Sequence, residues 1–392
     1  MTNHAELESC LSYFREFVTA RQGERELVDF DGPVIGVSCN FVPDELVWAV
    51  GGRTARLCGG DSQWQEEGEN LLSRHVCPVA TATAGLPQMD PQLWKRLDLL
   101  VIPASCDAKK KLAEVFSRDK PVHVMNVPAM KDDGAARAYW LDEVQRLVRR
   151  IEQVAQRKVT RVELDKAVRL SMERESLLRE LLELRYGQNG DGSLMTGEQF
   201  QFVTGASFAD EPSRYTENLR TLVDVLRKAG AAGYQVADGD APRVLLAGAP
   251  LIYPNFKLLE IIENAGATIV SDTSCTATQA FYQHLAPRDW SLREMLKALA
   301  EKKLLPCMCP CFGSFQDRML RLRELLRVSK ADGIIFHELR TCTLFAAEGE
   351  FLRRELEEGG SIPLLIVNTD YASSDKEYLR TRVEAFLEIL GQ

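Results

Sequence analysis

Ten cysteines are spread along a chain of 392 residues, and four of them share one setting. In GVSCNFVPDEL, VIPASCDAKKK, SDTSCTATQAF and ELRTCTLFAAE, the thiols of Cys39, Cys106, Cys275 and Cys342 stand between an apolar run and the start of a helical pattern. A thiol at such a seam ionises readily, because the unpaired backbone N–H groups and the dipole of a helix N-terminus stabilise negative charge. Iron and zinc both bind the thiolate. Cys77 in RHVCPVA and Cys307, Cys309 and Cys311 in the CMCPC run are further candidates, whereas Cys10 and Cys58, taken singly, read as small buried hydrophobes.

The spacing discriminates between metals. Structural zinc sites are built from closely paired cysteines, and Cys39, Cys77 and Cys106 are too far apart in sequence for that. CMCPC could bind zinc locally, although alternate residues of one short loop do not by themselves close a tetrahedron. Thiolates gathered from distant loops suit an iron–sulfur cluster, whose irons spread the ligands over a wider volume. Cys39, Cys77 and Cys106 in the first half, with Cys275, Cys342 and one thiol of CMCPC in the second, make three and three. That number matches two cubanes, each with one iron left without cysteine and a sulfide between the two open irons.

Other side chains near these seams could assist. His337 and Glu338 precede Cys342 at a strand end and His75 lies two residues before Cys77, so each could move a proton during reduction or simply make a structural hydrogen bond. Of Lys109, Lys110 and Lys111, one could offset cluster charge or dock a partner, the alternative being a solvated helix face. Asp107 reads as an N-cap or first-turn acid, and Arg380 and Arg382 as partners of acids on the last helix.

The elements that must hold these residues read as α/β. Near-continuous apolar runs at 33–39, 97–105 and 121–127 alternate with helical patterns, the signature of a parallel sheet covered on both faces. Runs at 242–251, 267–274, 332–339 and 363–370 repeat that grammar. Between them, residues 135 to 187 read as helix with one break at KVT, and QNGDGS (188–193) and ADGDAP (237–242) mark further breaks. The expected organisation is an N-terminal helical segment (1–32), a first Rossmann-like domain (33–134), a helical linking region (135–240) and a second Rossmann-like domain (241–392). Both domains are expected to be doubly wound parallel sheets whose strand C-termini face a shared cleft, where α/β folds place their ligands.

Composition narrows the function. A net charge of -9 argues against a nucleic-acid binder, which would carry a basic face. No apolar run approaches the roughly 20 residues of a membrane helix, and the polar, acidic start MTNHAELESC is unlike a secretory signal. The expected location is the cytoplasm, where thiols stay reduced. The chain has no G-x-x-x-x-G-K-[ST] phosphate loop, so any coupling to ATP would have to come from a partner.

Taken in order, SCNFVPDELVWAVGG, ARLCGG, RHVCPV, PASCDAKKK, SDTSCTA, the CPC loop, DGIIFHELRTC and NTDY with LRTRVEAFLEIL resemble the 2-hydroxyacyl-CoA dehydratase D-component family, and more narrowly its double-cubane-cluster reductase branch. The resemblance implies two Rossmann-like domains with an iron–sulfur cluster between them, and an ATP-hydrolysing iron–sulfur activator that supplies electrons at very low potential. Dehydratase subunits of the family hold one [4Fe-4S] cluster on three cysteines, which match Cys77, Cys106 and Cys342. The double-cubane branch holds an [8Fe-9S] cluster on six, and Cys39, Cys275 and the CMCPC loop supply the additional positions, with Cys311 the preferred loop ligand and Cys309 next. The implied protein is a homodimeric reductase acting on a small molecule, the alternative being a dehydratase subunit that removes water from a hydroxyacyl-CoA through a ketyl radical.

Overall fold

The computed structural model describes residues 2–187, 192–237, 239–282, 284–359 and 362–391. Most of the break expected at QNGDGS lies outside these residues, as does one position of ADGDAP.

The apolar runs form two sheets. One contains β1 (Val34–Val37), β2 (Arg53–Arg56), β3 (Leu99–Pro103) and β4 (Val122–Met125) in the order β2-β1-β3-β4. The other contains β5 (Arg243–Gly248), β6 (Thr268–Asp272), β7 (Gly333–Leu339) and β8 (Leu364–Thr369) in the order β6-β5-β7-β8. Every neighbouring pair is parallel. All residues of β1, β3 and β6 are buried, because helices cover both faces of each sheet and no side chain of these strands meets water. The fold is therefore α/β with two Rossmann-like units of identical strand order. Each strand has a counterpart: β1 and β5, β2 and β6, β3 and β7, β4 and β8. The order reverses between β1 and β3 and between β5 and β7, the switch points at which loops diverge and leave a crevice.

Strand β2 escapes a reading based on hydrophobic runs. Its sequence is RTAR, and it holds the sheet edge because both arginines find partners. Arg53 donates to the Ala209 carbonyl at 2.6 Å and pairs with Glu26 at 3.4 Å. Arg56 stacks on Phe208 at 4.5 Å and pairs with Asp44 at 3.6 Å.

The helices Gly134–Ala155 and Arg161–Tyr186 span the region read as helical, and the chain breaks between them where expected. Gln156 closes the first in a left-handed conformation, and Thr160 caps the second by accepting from the Glu163 N–H at 3.2 Å. Helices Gly197–Ala206 and Pro212–Ala231 pack with the N-terminal helix Thr2–Thr19 around Phe14, Phe200 and Leu219.

What fixes the two sheets relative to each other is a helix that leaves its own half. Leu292–Leu304 lies between β6 and β7 in sequence, yet Met295, Leu299 and Leu304 bury in one core with Ile35, Val101 and Trp140 of the first half. The Trp140 indole donates to the Ala300 carbonyl at 3.0 Å. Burying three such side chains contributes about 5 kcal/mol, enough to set the geometry of whatever lies between the halves. Among the described residues no helix is long and apolar enough to cross a membrane.

Candidate functional site

A cavity of about 210 Å3 opens where the strand ends of both halves meet, and its wall includes Cys39, Cys58, Cys77, Cys106, Cys275, Cys307, Cys309 and Cys342. Strand ends deliver five of these thiols: Cys39 follows β1, Cys58 follows β2, Cys106 follows β3, Cys275 follows β6 and Cys342 follows β7. Cys77 stands on the connection from β2 to β3, and the CMCPC loop on the equivalent connection from β6 to β7. Cys10 instead packs among the helices around Phe14.

Cys58, read from the sequence as a small buried hydrophobe, also lines the cavity. Because β2 carries no apolar run, the residue after it does not look like a seam. Strand order makes Cys58 the counterpart of Cys275, Cys106 that of Cys342, and Cys77 that of the CMCPC loop, whereas Cys39 has Ala249 and Pro250 at its equivalent position.

The thiols fall into two neighbourhoods, and each mixes the halves. In the first are Cys77, Cys106 and Cys342. Cys77 and Cys106 are the N-cap residues of helices Pro78–Ala84 and Asp107–Phe116, and Cys342 immediately precedes Thr343–Gly359. Backbone N–H groups of the turn that follows pull each sulfur's pKa down, Val79 for Cys77, Lys109 for Cys106, Leu344 and Phe345 for Cys342, although neither Cys77 nor Cys106 makes a capping hydrogen bond. The neighbouring Cys77 thiol, with the two amides, brings the Cys342 pKa down to about 7 against the effect of burial, while Cys77 is driven up by Cys342 and by burial. Burial raises Cys106.

The second neighbourhood is Cys39, Cys58, Cys275 and the CMCPC loop. Burial drives Cys275 up, and the negative charges of Cys39, Cys309 and Cys58 add to it. Within the loop the neighbouring Cys311 thiol lowers Cys309 to about 7, and Cys309 with burial raises Cys311. Cys307 and Cys309 line the cavity, whereas Cys311 packs against the first half's core, as Cys307 also does in part.

Lys109 lies between the two neighbourhoods. It is one turn into the helix that Cys106 caps, and its ammonium donates to the Ser38 carbonyl at 2.9 Å. Burial would lower its pKa, but the charges of Cys39, Cys58, Cys106 and Cys309 outweigh that and raise it. Lys110 and Lys111 are exposed and pair with Asp107 and Glu114 at 3.1 and 2.8 Å. One lysine of the run therefore faces the cavity and two face water.

Two further residues hold the halves in register at the site. Asn40 donates to the Cys275 carbonyl. Lys131, wholly buried, reaches from the first half to the carbonyls of Leu305 and Cys307 at 2.9 Å each and to Asp317 at 2.6 Å. It suspends the CMCPC loop from the opposite half. Neither residue carries a sequence signal, because their partners are backbone carbonyls of distant loops. Tyr371 is another such residue: it is buried against Cys342, its hydroxyl has no partner among the described residues, and burial with the charges of Cys77 and Cys58 raises its pKa.

The three candidate proton carriers lie off the cavity wall. His337 is buried with both ring nitrogens engaged, by the Ala249 carbonyl at 3.0 Å and the Thr369 hydroxyl at 2.8 Å, and burial brings its pKa down to about 4. These contacts tie β7 to β8 and to the loop after β5. Glu338 is partly buried with its pKa raised by burial and accepts from Asn368 at 3.4 Å, and His75 is exposed. Arg380 pairs with Glu377 at 3.1 Å and Arg382 stacks on Tyr378, both on the last helix.

As a donor set the cavity is soft, sulfur-rich and partly ionised, which suits iron–sulfur chemistry. Among the described residues no three His, Cys, Asp or Glu side chains converge on a point that a single metal ion would occupy. The thiols surround a volume, as ligands of a polynuclear group must.

Comparison with known proteins agrees with this layout. The model of the family 2-hydroxyglutaryl-CoA dehydratase, D-component, matches residues 39–390. The "Putative dehydratase subunit YjiM" of Escherichia coli (strain K12) is 30% identical over 96% of this chain and 97% of its own. The (R)-phenyllactyl-CoA dehydratase beta subunit of Clostridium sporogenes is 22% identical over 91% of each chain, and a benzoyl-CoA reductase subunit of Thauera aromatica is 22% identical over 95% of this chain and 94% of its own. The matches run through both sheets, the helical region and the cavity wall, and the chain belongs to the 2-hydroxyglutaryl-CoA dehydratase D-component family.

Proposed function

We propose that the protein is the iron–sulfur component of a reductase: it receives low-potential electrons from an ATP-hydrolysing iron–sulfur activator and reduces a small molecule at an [8Fe-9S] double cubane in the cavity. The observation that carries this reading is the second neighbourhood of thiols. Cys77, Cys106 and Cys342 would suffice for one cubane, and Cys39, Cys275 and Cys309 offer the same number again across the cavity. Cys309 is preferred to Cys311 because it lines the wall. Cys58, the counterpart of Cys275, is the reserve ligand.

When bound, such a group supplies one-electron reduction at low potential, which these side chains cannot perform alone. The chain's own residues have defined tasks. Cys342, brought down to about 7, is the most readily ionised thiol of its set; Lys109 balances charge between the two sets; Lys131 and Asn40 keep the thiols of one half in register with those of the other. The shared core limits the halves' relative motion, so reorganisation on electron transfer is small. A reducing cytoplasm, a homodimer and a docking activator complete the reading.

The relatives' names include dehydratase subunits, and the second reading is a subunit with one [4Fe-4S] cluster on Cys77, Cys106 and Cys342 that dehydrates a 2-hydroxyacyl-CoA. Iron and acid-labile sulfide analysis after anaerobic purification separates the two. About eight irons per chain supports the double cubane; about four, with co-purification of a dissimilar partner chain and hydroxyacyl-CoA dehydration, selects the dehydratase.

A further inference from the structure

The thiol cavity continues into a side recess of about 20 Å3 whose wall contains no cysteine. Asn40, Arg56, Phe208, Ala280 and Lys303 line both spaces. Arg56 enters from the end of β2 with its guanidinium stacked on Phe208 at 4.5 Å and its Nη2 3.6 Å from Asp44. Its Nε and Nη1 are buried and have no partner among the described residues. A buried guanidinium with two free donors is rare, because each unmade hydrogen bond costs the desolvation of a charged group.

The opposite wall raises the same question. Lys302 and Lys303 are adjacent on helix Leu292–Leu304 but diverge: Lys302 is buried against Glu175 and Glu45, while Lys303 makes no ion pair among the described residues. The recess wall itself carries the cations Arg56, Arg174 and Lys303 and the carboxylates Asp44 and Glu175. One positive charge remains in excess. The recess has room for about one water, so a ligand would keep its bulk in the thiol cavity and turn only its charged end toward Arg56.

We propose that Arg56 and Lys303 form a subsite for a small monoanionic oxyanion on the wall of the thiol cavity, the anion being either the carboxylate of an organic molecule or a free inorganic ion. Arg56 donates from Nε or Nη1, Lys303 supplies the second charge, and the Phe208 ring holds the guanidinium in place. The subsite stands apart from the cluster reading, since none of its groups is a thiol. It would orient a substrate's charged end away from the sulfurs and its other end toward them.

Titration calorimetry on the anaerobically purified protein tests this with acetate, nitrate and the neutral isostere acetamide. Saturable binding of acetate alone identifies a carboxylate site, of nitrate alone an inorganic one, and of both a site that reads charge and shape; each supports the proposal. Arg56→Gln and Lys303→Gln should each weaken binding about tenfold, Arg56→Lys should retain part of it, and Lys110→Gln, far from the recess, should not change it. If Arg56→Gln fails to fold, Lys303→Gln decides. Binding of neither anion, acetamide binding as tightly as acetate, or unchanged binding in Lys303→Gln would overturn the proposal. Iron measured on the same samples keeps the two readings separate: anion binding without iron leaves the subsite standing and the cluster fallen, and iron without anion binding does the reverse.

Discussion

The thiols of Cys77 and Cys342, one from each half of the chain, are neighbours on the cavity wall, and each shifts the pKa of the other. Each also sits at the start of a helix. A sulfur pair of this kind exists only while both sheets keep their relative placement, so the chemistry of the site and the packing of the halves are one problem.

Removing one member of the pair should therefore cost cluster without costing fold. Cys342→Ala is expected to keep its thermal unfolding midpoint within a few degrees while iron content falls by about half, the set of Cys39, Cys275 and Cys309 remaining intact. Iron analysis beside calorimetry checks it. Full iron content in this variant would contradict the assignment of Cys342.

Lys131 is expected to be a positioning residue for the CMCPC loop. Lys131→Met leaves the Leu305 and Cys307 carbonyls and Asp317 without their cation and should destabilise the protein by about 3 kcal/mol. Hydrogen exchange should localise the loosening to residues 305–312. Denaturant titration with unchanged stability, or loosening elsewhere, would refute it.

His337 should make stability depend on acid pH. Its folded pKa of about 4 lies below the roughly 6.5 of an unfolded histidine, so between these values the unfolded chain binds a proton that the folded one does not. The contribution is complete above about pH 6.5 and is lost as pH falls toward 4, by about 3 kcal/mol in total. His337→Gln should lose less stability than the parent over this window; equal slopes would show that the histidine titrates normally.

The lysine run should divide in two. Lys110→Gln and Lys111→Gln are expected to change stability by less than about 0.5 kcal/mol and to leave iron content intact, since both are exposed. Lys109→Met removes the cation between the thiol sets and should make the reduction potential of the bound group more negative, a loss of positive charge disfavouring the added electron. A potentiometric titration reads this directly.

Much of this architecture can be read before any coordinates. Seven of the eight strands appear as apolar runs, most plainly β1, β3 and β6, which are buried throughout, and the thiols after β1, β3, β6 and β7 are visible as seams. β2 and Cys58 are not, since an arginine-bearing edge strand depends on Glu26, Asp44 and Phe208, which are remote in sequence. For the same reason Lys109 looks no different from Lys110 in the sequence: helical phase decides which lysine turns inward, and the phase is set by how the helix packs. The grouping of thiols across the halves is equally hidden, because it follows from a helix of the second half burying in the core of the first.

The most direct test of the central claim is anomalous iron density in crystals grown without oxygen. About eight irons in the cavity, ligated by Cys77, Cys106 and Cys342 on one side and by Cys39, Cys275 and Cys309 on the other, is the expected result. Four irons confined to the first set, or density for a single zinc in the CMCPC loop, would contradict it.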